Sequence, residues 1–249
     1  MPLLLLTSII KLCKLGEKMN LFATSDLHLS FKSDKSMEIF KGWQNYTQRI
    51  KNNWTRLVTD DDTVVVAGDI SWGSSLEESQ KDLEFLNSLP GEKLLIKGNH
   101  DFWWSTANKI NSFFKENGFD TLNIVHNNCA KVGNYAVCGT RGWLYDGTGA
   151  HNKKVTDREC GRLRSSLLEA KDKNLKPIVF LHYPPAYGDF RSEEIIDILK
   201  EFEIKEIFYG HIHGAGFNSS LKECDGIKLN LLSCDCNDFT PILVKKLKN

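Results

Sequence analysis

Five short apolar runs, each followed at once by Gly, Asp, Asn or His, constrain this chain more than any other feature. They cover residues 21–25, 63–67, 93–97, 177–181 and 205–209, and each is brief and apolar enough to read as a buried strand. Helical periodicity separates them at residues 36–57, 76–88, 106–117, 157–173 and 193–201. Further strands are predicted at 122–125, 131–138, 226–232 and 241–247, the last three with partial alternation. No repeat, low-complexity tract or Pro/Gly/Ser-rich linker interrupts the pattern. Alternating strands and helices that give way to extra strands predict an α/β fold (α+β in some schemes), with two sheets packed face to face and helices outside.

At 249 residues the chain is long enough to bury a core without disulfide or metal staples. Lys plus Arg equals Asp plus Glu at 32 each, which argues against a general polyanion-binding surface. Duplex nucleic acid is therefore not an expected partner, although a local basic cleft is compatible with the balance. The seven cysteines are odd in number and form no CxxC pair, a pattern of reduced thiols that predicts a cytoplasmic location. Cys234-Asp235-Cys236 has a second reading as a metal or redox pair, but no other Cys/His pair sits at zinc-finger spacing.

Residues 2–10 are apolar, yet shorter than the roughly 20 residues a bilayer span takes. Lys11, Lys14 and Lys18 follow that run, whereas a secretory signal carries its basic residues ahead of it. Met19 opens the first strand. Residues 1–18 are thus expected to lie outside the core, as the product of an upstream start codon, with residues 19–249 forming a single domain. A membrane-surface anchor is the alternative for the leader, and stable membrane insertion is not expected.

The polar residues at the strand ends point to function. Ligands of open α/β sheets bind beyond the carboxyl ends of the strands. Five motifs stand there in order: Asp26-Leu27-His28, Gly68-Asp69, Gly98-Asn99-His100-Asp101, His182 ahead of Tyr183-Pro184-Pro185, and Gly210-His211-Ile212-His213. Singly, each has an ordinary explanation as a turn, a helix N-cap or a buried imidazole. Together they hold five of the seven histidines, leaving only His126 and His151 outside. Clustered histidines and carboxylates are the signature of a metal site. Imidazole, carboxylate and amide oxygen without thiolate suit Mn²⁺, Fe or Zn²⁺ and disfavour a structural zinc cage. By order along the chain, Asp69 is best placed to bridge two cations. Such a pair, about 3.5–4 Å apart, binds the attacking and leaving oxygens of an in-line displacement and acidifies a shared water.

The segments SDLHLS, VAGDISWG, IKGNHDFWW, LHYPP and YGHIHG resemble the ordered signature of the calcineurin-like metallophosphoesterases, from residue 19 to about 213. The resemblance implies a four-layer two-sheet sandwich and a hydrolase of small phosphomonoesters or phosphodiesters. It implies two divalent cations, Mn²⁺ first with Fe or Zn²⁺ as alternatives, and a bridging hydroxide. Asp26, His28 and His213 are then expected to hold one cation and Asn99, His182 and His211 the other, with Asp69 shared. His100 is expected to contact the phosphate and protonate the leaving oxygen, and Asp101 to orient its ring. A binding scaffold of the same fold that has lost its chemistry is the rival reading; here every motif position is filled.

Aromatic residues follow several motifs. Trp104, Trp143 and the neighbouring Trp72, Trp103 and Tyr145 read either as a wall against the substrate's organic part or as packing beneath the loops. Arg141 has two readings of equal weight: a guanidinium that grips phosphate oxygens, or a surface ion pair.

Overall fold

The computed structural model describes residues 19–143 and 150–247. The expected leader, residues 1–18, and Tyr145 lie outside the described residues. In chain order the elements are β1 (Asn20–Thr24), α1 (Tyr46–Leu57), β2 (Thr63–Ala67), α2 (Gln80–Ser88), β3 (Glu92–Ile96), α3 (Ala107–Glu116), β4 (Leu122–Ile124), β5 (Ala130–Val132) and β6 (Tyr135–Thr140). There follow α4 (Ala150–Asp172), β7 (Lys176–Leu181), β8 (Ala186–Tyr187), β9 (Phe190–Arg191), α5 (Glu193–Glu201), β10 (Glu206–Tyr209), β11 (Glu223–Cys224), β12 (Ile227–Leu231) and β13 (Ile242–Lys246).

One sheet has the order β13-β1-β2-β3-β4, parallel throughout except for β13 at its edge. The other runs β11-β12-β10-β7-β6-β5, with a parallel centre and antiparallel strands at both edges. Side chains alternate across each strand, and here both faces are apolar. Leu21, Ala23, Val65, Ala67, Leu94 and Ile96 meet Val137, Phe180 and Phe208 of the facing sheet. The interleaved Phe22, Val64, Val66 and Leu95 pack outward on Ile50 and Trp54 of α1, Leu83 of α2 and Ile110 of α3. Beyond the second sheet, Val179, Leu181 and Ile207 pack against Leu163 and Leu167 of α4 and Ile195 and Leu199 of α5. The result is helix, sheet, sheet, helix, the layering read from the sequence.

Several boundaries differ from expectation, two of them for a local reason. The helix predicted from residue 36 begins only at Tyr46, because Gly42 and Asn45 take left-handed backbone (φ 93° and 52°) and leave a short 3-10 turn, Met37–Ile39, ahead of it. The strand predicted at 131–138 is a hairpin, β5 turning into β6 at Gly133 (φ 58°). Helix α4 starts seven residues earlier than expected, at Ala150 rather than Asp157.

Candidate metal centre

All five motifs lie just beyond the carboxyl ends of β1, β2, β3, β7 and β10, on one rim of the sandwich. The backbone there is unusual. Asp26, His28, Asp69 and His211 all have positive φ (60°, 46°, 52° and 72°), a region costly for residues with a Cβ. Such strain persists only where surrounding structure imposes it, and it concentrates at functional sites. The motif glycines make room for the carboxylates. A Cβ on Gly98 would stand 2.1 Å from Asp69 Oδ1, and one on Gly210 2.5 Å from Asp26 Oδ2.

Two groups of potential ligands result, Asp26 with His28 and His213, and Asp69 with His182 and His211; within each, the donor atoms lie within 4.8 Å of one another. Asn99 Oδ1 joins the second group, 2.7 Å from His182 Nε2 and 2.9 Å from His211 Nδ1. Asp69 Oδ2 stands between the groups, 3.8 Å from His28 Nε2 and 3.4 Å from His182 Nε2. The seven side chains expected to be ligands therefore meet in one place.

The chemistry of these donors fits divalent cations. His28 Nε2 and His213 Nε2 face each other at 3.3 Å beside the Asp26 carboxylate, so two ring nitrogens converge on one point. Cys234 offers no competing thiolate: it directs its Sγ at the Asp26 carbonyl, and burial favours the protonated thiol. That also disposes of the metal reading for Cys234 within Cys234-Asp235-Cys236.

Electrostatics divide each group in the same way. Burial lowers His28 and His211 to about 4, keeping these imidazoles neutral with a lone pair to give. Burial also opposes charge on His182 and His213, but Asp69 outweighs it at His182, and Asp235 with Asp26 at His213, raising them to about 9 and about 10. Burial likewise pushes Asp26 upward, yet His213, His182 and His28 hold it below the usual carboxylate range. Asp69 thus favours the charged form of His182, and Asp235 with Asp26 that of His213.

His100 borders both groups. Its backbone N–H donates to Asp69 Oδ1 (2.8 Å), its Nε2 lies 4.0 Å from Asp69 Oδ2, and its ring, 37% exposed, packs on Trp72 at 4.4 Å. Trp72 also stacks on His28 at 4.8 Å. Asp101 takes a different part from the expected one. Its carboxylate accepts the N–H groups of Asp69, Ile70, Ser71 and Gly98 and the indole of Trp103, at 2.7–3.3 Å. It therefore ties the Gly-Asp loop to the Gly-Asn-His-Asp loop and spends its acceptors on them, away from the His100 ring. Asp235, which the motif pattern passed over, accepts from His213 Nδ1 at 2.9 Å and fixes that ring. Its one signal was its place just after a predicted strand.

The residues expected near substrate separate. Trp104 is buried against Trp103 and donates its indole N–H to His126 Nδ1 (3.3 Å). Trp143 packs edge-on against Tyr183, which lies 4.2 Å from His211. Arg141 lies over Trp143 and pairs with the buried Glu159 at 3.5 Å, an interior rather than a surface ion pair.

Known proteins resemble the chain in sequence and in fold. The profile of the calcineurin-like phosphoesterase family matches residues 19–215. The Gene 66 protein of Mycobacterium phage L5 is 38% identical over 85 residues, which are 33% of this chain and 40% of that protein. This chain thus matches about two fifths of the length of that relative. Among solved structures, phosphopantetheinyl hydrolase from Mycobacterium tuberculosis superposes with a TM-score of 0.52 at 13% identity, covering 92% of this chain and 98% of that one. A protein of unknown function from Aquifex aeolicus gives 0.48 at 17% identity, covering 90% and 95%. At 13% identity the likeness to the hydrolase speaks for the fold alone.

Proposed function

The chain belongs to the calcineurin-like phosphoesterase family, and from that premise we propose that it hydrolyses small phosphomonoesters or phosphodiesters with two divalent cations, Mn²⁺ foremost and Fe or Zn²⁺ as alternatives. One observation carries the reading: a single carboxylate oxygen, Asp69 Oδ2, lies within 4.0 Å of His28, His182 and His100, between both ligand groups and beside a proton donor. Bound there, two cations would supply Lewis acidity toward the phosphoryl oxygens and a nucleophilic water at neutral pH.

The protein's own residues do the rest. Asp26, His28 and His213 form one cradle; Asn99, His182 and His211 form the other, with Asp69 common to both. His100, half-exposed at the edge, delivers a proton to the departing oxygen. Burial lowers its pKa, so its protonated form is a stronger acid than a free imidazolium. Asp101 acts as a positioning residue, holding both motif loops at the distance this geometry needs. The free cysteines of the described residues and the lack of any helix there long and apolar enough to cross a membrane are compatible with action in the cytoplasm.

The test separates acid from ligand. His100→Ala should keep its cations and lose about 10²–10⁴-fold on an alkyl phosphate, whose leaving oxygen needs a proton, but far less on p-nitrophenyl phosphate, whose leaving group does not. Equal losses on both esters contradict the role given to His100. Bound cations with no turnover of any phosphoester would favour the scaffold reading.

A further inference from the structure

The two oxygens of the Asp26 carboxylate keep unequal company. Oδ2 accepts from the Ser25 hydroxyl at 2.5 Å, the His211 backbone N–H at 2.9 Å and the Ser233 hydroxyl at 3.0 Å. A carboxylate oxygen carries two lone pairs, so three donors leave Oδ2 none to give a cation. Oδ1 shares the His211 N–H at 3.1 Å and otherwise faces His213 Nε2 at 3.3 Å, where the first ligand group converges.

The two hydroxyls reach Asp26 from different sheets. Ser25 follows β1 and Ser233 follows β12, and the two residues, both wholly buried, form an isolated parallel bridge across the rim. Cys234 holds the junction, donating its N–H to the Ser25 carbonyl (3.1 Å) and its thiol to the Asp26 carbonyl (3.0 Å). A Cβ on Gly210 would stand 2.5 Å from both Asp26 Oδ2 and Ser25 Oγ, so the glycine leaves the space this pair fills. Asp235, next along the chain, accepts from His213 Nδ1. Residues 233–235 thus act on Asp26 and His213 with three successive side chains. Among the described residues, those side chains make no hydrogen bond to Asn99, His182 or His211.

Resting on the two-cation reading above, we propose that Ser25 and Ser233 are positioning residues that leave Asp26 a single oxygen, Oδ1, for the first cation, and so set the affinity of that site without changing the other. Each serine works through the carboxylate, as outer partners of metal ligands do. Loss of a hydroxyl frees Oδ2, lets the carboxylate turn, and moves Oδ1 from the point where His28 and His213 converge. The second group keeps its own supports, among them the Ala67 carbonyl on His182 Nδ1 at 3.0 Å.

The test is a titration of metal-free protein with Mn²⁺, the free ion being counted by its electron paramagnetic resonance signal. Wild type should bind two ions. Ser25→Ala and Ser233→Ala should each weaken one binding constant about 10–100-fold and leave the other unchanged. Ser233→Thr, which keeps the hydroxyl, should bind as wild type does. Asn99→Ala, in the second group, should weaken the other constant, so that Ser233→Ala/Asn99→Ala weakens both. Thermal melts of the metal-free variants establish that each is folded; should one serine variant fail to fold, the other decides. Alanine variants that bind both ions as tightly as wild type overturn the positioning role. So does a double variant that keeps one constant at its wild-type value, or a Ser233→Thr protein as weak as Ser233→Ala. Fewer than two ions bound by wild type contradicts the two-cation reading, and the proposal falls with it.

Discussion

The layer between the two sheets and the rim above it are built on opposite principles. In the layer, Leu21, Val65, Ala67, Ile96, Val137 and Phe180 are wholly buried, all apolar, and carried on regular strands. A few residues further along the same strands, Asp26, Asp69, His182 and Asp101 are as deeply buried but charged or titratable, and two of the four stand on left-handed backbone. Burial of each large apolar side chain is worth about 1.5–3 kcal/mol, whereas each strained backbone position costs about 1–3 kcal/mol. The regular layer stabilises; the rim spends that stability on holding converging donors ready for cations.

Substitutions at the two levels should break this contrast in opposite ways. Asp69→Asn removes the shared carboxylate, so activity should fall by about 10²–10³-fold or more and bound metal should drop in elemental analysis. Phe180→Ala should do the reverse, costing about 3–5 kcal/mol in denaturant unfolding while the folded protein keeps its full metal content. Asp235→Asn, which loosens His213, should lower metal affinity about 10–100-fold in a competition titration with little change in stability.

A subtler effect separates the rim from the layer by pH. In metal-free protein, His28 and His211 are depressed to about 4, so the folded state binds fewer protons than the unfolded one up to about 6.5, and stability rises with pH there. His182 and His213 are raised to about 9 and about 10, so the folded state binds more protons above about 6.5, and stability falls with pH over that interval. Thermal melts of metal-free protein should therefore peak near neutral pH. Mn²⁺ should displace those protons and flatten the alkaline side.

The same contrast explains what the sequence revealed. Central strands were legible because both faces are buried, leaving apolar runs with no ambiguity of register. The seven converging donors were legible because strand ends place them, whatever the intervening helices do. Chain neighbourhood misled at Asp101, which sits beside His100 in sequence yet turns to the Gly-Asp loop; a single carboxylate bonded by five donors across two loops leaves no periodic trace. Asp235 carries no histidine beside it, and its partner His213 lies on a different strand end. The Arg141–Glu159 pair joins a strand end to α4, a tertiary contact no local pattern encodes.

The central claim is that one carboxylate is common to two cations. Electron paramagnetic resonance of Mn²⁺-loaded protein tests it most directly, since ions about 3.5–4 Å apart across a shared ligand are exchange-coupled. The account predicts two Mn²⁺ per chain with a coupled spectrum that disappears in Asp69→Asn. A single ion, or two ions giving the spectrum of isolated Mn²⁺, would contradict it.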